Sequence, residues 1–272
     1  MALTAFVLGG GGMLGAAEVG MLQALSAEHI RAGLVLGTSV GAINGAAYAC
    51  DPGPAVVDRL ARMWTELGSS DVFGANVVTQ LGTLARSGGT HLYTADRLRS
   101  LISGQLAIQR IEDLAVPFQC VASSVERAAA HWFVEGPLVE AVLASCAVPG
   151  LLPAVRIGDD HFLDGGLVNS LPVDRAVALG ATEVYVLHVG RLEQPLQPPR
   201  RPWDVAAVAF EIARRSRFTD AMAALPAGVT VHVLPTGIER TPIANLRFRS
   251  SRQVAERIER ARAATTSYLR QL

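Results

Sequence analysis

Short apolar runs alternate with longer stretches of mixed polarity through most of the chain. Phe6-Val7-Leu8 and Leu34-Val35-Leu36 are each followed by a glycine-rich turn, so each reads as a buried strand feeding a helix. A helix is predicted over 12–28, where Met13, Ala17, Val19, Met21, Leu22 and Leu25 form a wide apolar face. Ala42 to Ala49 is small and apolar, as suits a helix pressed against a sheet, and Asp51-Pro52-Gly53-Pro54 ends it. Residues 55–67 predict another helix, and Thr94-Ala95-Asp96 opens a further one with Thr94 as its cap. Strands are expected at 118–122 and 131–134, then a helix over 137–146 that stops at Pro149-Gly150. Val155 to Ile157 and His161 to Leu163 flank Gly158-Asp159-Asp160 as a hairpin. A helix at 173–179, a strand at 183–189, a helix at 203–224, a strand at 229–234 and a helix near 250–271 complete the series. Such alternation places the chain in the α/β class, as a three-layer α/β/α arrangement around a mostly parallel sheet.

Composition narrows the class without changing it. At 272 residues the chain has length for one large domain or two small ones. Half the residues are hydrophobic and 18% are charged, a balance that excludes a disordered chain. No apolar stretch approaches the roughly 18 residues a membrane-spanning helix needs. The first strand begins without a basic leader, unlike a signal peptide, and a cytoplasmic setting is expected. Cys50, Cys120 and Cys146, odd in number and widely spaced, suggest a reducing compartment and give no metal-ligand pattern. Neither a metal nor another cofactor is expected.

Charge is balanced in total but divided along the chain. Residues 1–194 hold 11 Arg against 18 Asp and Glu, whereas 195–272 hold 13 Arg against 6, and there is no lysine. A core over 4–190 and a basic extension over 191–272 packed on the same domain are therefore expected, with four prolines between 191 and 202. Arg200-Arg201 and Arg214-Arg215-Ser216-Arg217 lack any recognition motif or aromatic platform, so no nucleic acid is expected. Trp203, Phe210 and Phe218 beside those arginines would suit peripheral contact with a membrane. Ala206, Ala207, Phe210 and Ile212 more simply describe a core-facing helix. Gly68 to Thr90, with five glycines, is a candidate flap over a site.

The two glycine turns carry the chemistry. Gly37-Thr38-Ser39-Val40-Gly41 is a G-x-S-x-G elbow, which lifts a serine hydroxyl out of a sharp strand-to-helix bend. Gly9 to Gly15 presents main-chain N–H groups at a helix start, where negative charge is favoured. Ser39 needs a base. The histidines are His29, His91, His131, His161, His188 and His232; only His232 follows in the order of an esterase triad, yet it lies within a strand pattern. Asp164 opens Asp164-Gly165-Gly166, which alone would merely close a loop but beside an elbow and a cradle is a candidate base. Gly10-x-Gly12-x-x-Gly15 also fits a dinucleotide fingerprint, but the strand at 34–36 ends without the acid that would hold a ribose.

Taken in order, these segments resemble the patatin-like phospholipases: Gly10-Gly11-Gly12-Met13-Leu14-Gly15, Gly37-Thr38-Ser39-Val40-Gly41 and Asp164-Gly165-Gly166. Ala144 to Gly150, Asn169 to Val173 and Leu179-Gly180-Ala181 are similar to further segments of that family, over roughly 4–190. The resemblance implies a patatin-like fold and a serine acyl hydrolase acting on an acyl lipid or ester. Ser39 would be the nucleophile and Asp164 the proton acceptor in a dyad without histidine. Gly10, Gly11 and Gly12 would form the oxyanion hole, and an acyl-enzyme would form on Ser39. Gly15, Gly37, Gly41, Gly165 and Gly166 fall on motif positions. Leu14 stands where the family usually has Arg or Lys, which puts a phospholipid headgroup in question against a neutral ester or thioester. Met13 and Leu14 would line an acyl channel or pack under the loop. The alternatives are a triad esterase using His232 and a non-catalytic lipid-binding protein of the same fold. Oligomeric state is not legible.

Overall fold

Strand side chains alternate between two apolar layers. Phe6, Leu8 and Val35 face one, while Ala5, Val7, Leu34 and Leu36 face the other. The computed structural model describes residues 2–69, 83, 87–190, 195–199, 202–237 and 250–272. Its strands are β1 (Leu3–Leu8), β2 (Leu34–Thr38), β3 (Phe118–Ser124), β4 (Ala129–Phe133), β5 (Val155–Ile157), β6 (Asp160–Asp164), β7 (Ala181–Leu187) and β8 (Thr230–Val233). They join in the order β5-β6-β3-β2-β1-β7-β8, with β4 also on β3. β3, β2, β1, β7 and β8 run parallel, and β4, β5 and β6 supply the antiparallel pairs.

On the first face lie α1 (Ala16–Ala27), α2 (Val40–Cys50), α3 (Pro54–Ser69), α4 (Asp96–Gln105), α5 (Leu138–Ser145) and α8 (Ser251–Leu269). On the second lie α6 (Val173–Ala178) and α7 (Pro202–Ala223), with Phe218 and Met222 of α7 against the core. The α/β class, the three layers and the mostly parallel sheet are those expected. Residues after 202 complete this one sheet and both its covering layers, because β8 extends it beyond β7 while α7 and α8 take opposite faces.

Local departures have physical causes. The strand expected over 183–189 ends at Leu187, because its partner β1 stops at Leu8 where the glycine loop begins. The helix expected from 12 starts as a 3-10 turn, Gly12–Gly15, and becomes α-helical only at Ala16. Thr94 does not cap α4: the N-cap is Ala95, and no side chain bonds there. Ile212 turns to solvent at 54% exposure, so the core-facing side of α7 is carried by Val208 and Arg214, with Phe210, Phe218 and Met222 partly buried. Most of the candidate flap (70–82 and 84–86), Arg200 and Arg201, and the side chains of Met13, Trp203, Ala206 and Ala207 lie outside the described residues.

Helix α1 is buried on every side from Ala16 to Leu22, its polar Glu18 included. Helix α8 covers it so closely that a Cβ on Gly20 would stand 2.1 Å from the Ile258 carbonyl oxygen. Gly20→Ala is accordingly expected to force α1 and α8 apart and cost about 3 kcal/mol, read as a lower midpoint in thermal melting. An unchanged midpoint would show that the two helices yield freely.

Candidate active site

The edge of β3 brings two distant strand ends together. Residues 120–121 pair with β4 and β2, and residues 122–124 pair with β4 and β6. A strand has two edges, so β2 and β6 share the one opposite β4. They run in opposite directions and meet end to end, with Thr38 against Val121 and Asp164 against Ala122. The residue after Thr38 is Ser39, which lies in this way beside a carboxylate 125 positions later.

The elbow around Ser39 is strained and tightly packed. Ser39 adopts φ 54° and ψ −125°, a rare backbone state for a side-chain-bearing residue. Glycine is required on both sides: a Cβ on Gly37 would lie 2.5 Å from Ala42 Cα, and one on Gly41 would lie 2.3 Å from the Leu8 carbonyl oxygen. The Ser39 N–H donates to Ser145 Oγ at 2.8 Å, and Thr38 Oγ1 donates to the Asn169 carbonyl at 2.9 Å. Ser145 and Asn169 belong to the segments on either side of Asp164, so the same contacts hold the elbow and the carboxylate together.

Ser39 Oγ donates to Asp164 Oδ2 at 2.6 Å, with Ser39 5% and Asp164 1% exposed. The other carboxylate oxygen, Oδ1, accepts from the Gly166 N–H at 2.7 Å, and the Asp164 carbonyl accepts from Ser123 Oγ at 2.8 Å. Gly165 passes over the Val121 carbonyl, where a Cβ would have 2.1 Å. Phe210 of α7 closes on Gly166, where a Cβ would stand 2.5 Å from its ring. Burial pushes the Asp164 carboxyl up to about 6, against the Ser39 hydroxyl and the Gly166 N–H, which favour its ionised form. An Asp164 carboxylate at neutral pH is thus ionised but more basic than an ordinary aspartate. Beside it, burial and the neighbouring Asp164 push the Cys146 thiol up, which keeps it protonated.

The three cradle glycines differ. Gly10 is buried and its N–H donates to the Ser170 carbonyl at 3.2 Å, so that donor is engaged. Gly11 is half-buried and Gly12 exposed, and among the described residues their N–H groups have no hydrogen-bond acceptor. Gly10 nonetheless lines the elbow, for a Cβ there would stand 3.4 Å from Ser39 Cβ. Gly15 admits Val40 and Trp64, and Leu14 is half-buried. The cradle therefore offers two open main-chain donors where three were expected.

No histidine hydrogen-bonds Ser39 or Asp164 among the described residues. His232 pairs at the level of Tyr185 on β8, three strands and about 14 Å sideways from β2. There it stacks on Tyr185, and its ring nitrogens face Tyr268 and Glu183 at 3.3 and 3.7 Å. His188 is pushed down to about 4, chiefly by burial, and its Nδ1 engages the Gly190 carbonyl. Sequence reasoning missed Ser145 and Ser123, whose hydroxyls hold the main chain of Ser39 and of Asp164. Only the position of Ser145 inside a recognised segment pointed to it.

A family model for patatin-like phospholipase matches residues 6–177. The patatin-like phospholipase domain-containing protein ZK370.4 of Caenorhabditis elegans is 35% identical over 190 residues, 69% of this chain and 14% of that protein. Patatin-like phospholipase domain-containing protein 7 of Rattus norvegicus is 32% identical over 192 residues, 70% of this chain and 14% of its own length. Lysophospholipase nte1 of Aspergillus terreus is 29% identical over 188 residues, 69% of this chain and 12% of that protein. The matched region is thus a small part of each relative.

The raised carboxyl of Asp164 has a consequence for stability. Its folded value near 6 lies above the ordinary 3.8, so its contribution is fully present below about pH 4 and is lost as pH rises through 6. Asp164→Asn is expected to melt higher than the parent at pH 8, and the difference should shrink toward pH 4 in parallel scanning calorimetry. A difference independent of pH would contradict this account.

Proposed function

Since the chain belongs to the patatin-like phospholipase family, we propose that it is a serine acyl hydrolase that cleaves fatty acyl esters through Ser39 and Asp164. The observation that carries this reading is the buried 2.6 Å hydrogen bond from Ser39 Oγ to Asp164 Oδ2. Ser39 Oγ attacks the ester carbonyl carbon and its proton passes to Asp164 Oδ2. The carbonyl oxygen becomes an oxyanion facing the N–H groups of Gly11 and Gly12, the cradle donors not otherwise engaged. Collapse breaks the bond to the leaving alcohol, which takes the proton from Asp164 and leaves an acyl group on Ser39. Water then attacks that ester and gives a proton to Asp164. Ser39 leaves with the proton, and the fatty acid is released.

Each part of the surroundings supports a role. The Gly166 N–H fixes one oxygen of the carboxylate and leaves the other for proton transfer. Desolvation raises the basicity of Asp164 toward the operating pH, as a general base requires. Two features bear on a lipid ester as substrate: Leu14 presents no charge at the loop, and Leu167, three residues after Asp164, is 42% exposed. Peripheral contact with a lipid surface belongs to this proposal. No described helix is long and apolar enough to cross a membrane.

With p-nitrophenyl acyl esters, Ser39→Ala and Asp164→Asn should lower kcat by at least about 10³-fold, while His232→Ala should stay within about threefold of the parent. A fluorophosphonate should label Ser39. Folded protein that neither labels nor turns over would favour a lipid-binding scaffold. The base must be ionised, so kcat/KM should rise with pH through an apparent pKa near 6. A profile flat from pH 5 to 8 would remove Asp164 as the acceptor.

A further inference from the structure

Glu18 is a fully buried carboxyl with no part in the proposed proton transfer. It lies on α1, three residues past the glycine loop, and Oε2 accepts from Asn44 Nδ2 at 2.8 Å. The same Asn44 nitrogen donates to the Gly15 carbonyl at 3.1 Å, and Asn44 Oδ1 accepts from Trp64 Nε1 at 2.9 Å. Asn44, 0% exposed, lies five residues after Ser39 on α2, and Trp64, 3% exposed, lies on α3. One amide thus joins the far end of the glycine loop, the helix after the loop, the helix after the elbow and α3. Glu18 Oε1 is enclosed without a hydrogen-bond partner.

This arrangement is demanding for the chain. A buried carboxylate without a cationic partner is costly, and burial drives Glu18 to its neutral, protonated form well above the usual range. Gly15 also has no room for a side chain, because Val40, the residue after Ser39, would lie 2.3 Å from its Cβ. Loop and elbow therefore meet both by packing and through a closed set of polar contacts.

We propose that Glu18 and Asn44 form a positioning pair that holds the glycine loop at its working distance from Ser39. Asn44 grips the Gly15 end of the loop, and Glu18, bonded to the same amide nitrogen, fixes the orientation of that grip. Misplacing the oxyanion donors weakens their hold on the transition state more than their hold on the substrate, so the pair acts on kcat. This rests on the acyl-transfer reading of Ser39.

The test compares Glu18→Gln, Glu18→Leu and Asn44→Leu in the full chain on a p-nitrophenyl acyl ester. Rates are referred to competent sites counted by fluorophosphonate labelling of Ser39. Glu18→Gln, neutral and of the same shape, should remain within about threefold of the parent in kcat. Glu18→Leu and Asn44→Leu should lose about 10- to 100-fold in kcat with KM within about threefold. Where either leucine variant does not fold, Glu18→Met carries the same expectation. A kcat for Glu18→Leu or Glu18→Met within threefold of the parent, or an equal loss for Glu18→Gln, would overturn the positioning pair. A parent enzyme without turnover would instead strike the acyl-transfer reading.

Discussion

The structure depends on the end-to-end meeting of β2 and β6 along one edge of β3. One strand arrives carrying a hydroxyl and the other arrives carrying a carboxylate, and the ladder itself fixes their separation. Neither side chain has to search for the other. The contact is also dry, since both residues are almost wholly covered. Burial that would be a liability elsewhere gives Asp164 a basicity that water would deny it.

Two buried carboxyls, one at the end of a strand and one on a helix, show how surroundings divide roles. Asp164 receives a hydroxyl and a main-chain N–H, one on each oxygen, and these partly offset its desolvation. Glu18 receives a side-chain amide on one oxygen and has the other enclosed and unpaired. The first is ionised near neutrality and suited to taking a proton. The second keeps its proton and serves as a neutral hydrogen-bonding group.

Much of this was legible in the chain itself because local rules and global fold agree there. An apolar run followed by Gly37-Thr38-Ser39-Val40-Gly41 has few outcomes, for the close approach to Ala42 and Leu8 leaves room only for glycine on either side. The Asp164 turn is marked by its order after the elbow, and the layering by the alternation of short apolar runs with longer stretches of mixed polarity. Other features depended on partners that no local pattern names. The engagement of the Gly10 N–H is set by the main chain at Ser170, and the end of β7 by the end of β1. Glu18 is invisible for the same reason, since a charged residue on a helix reads as solvated until Asn44 of α2 is seen to meet it. Ile212 shows the converse: it was read as a core residue of α7 and faces water.

The pairing of α1 with α8 bears on how the polypeptide reaches this state. The first α-helix to be synthesised is sealed by one that follows much later in the chain, with Gly20 set against Ile258. The central strand β1 likewise waits for β7 to cover its other edge. A nascent chain must therefore carry an α1 not yet covered until α8 emerges, and an unpaired edge on β1 until β7 emerges. Contacts so distant in sequence make for slow closure and expose the intermediate to self-association, the circumstance in which molecular chaperones matter most.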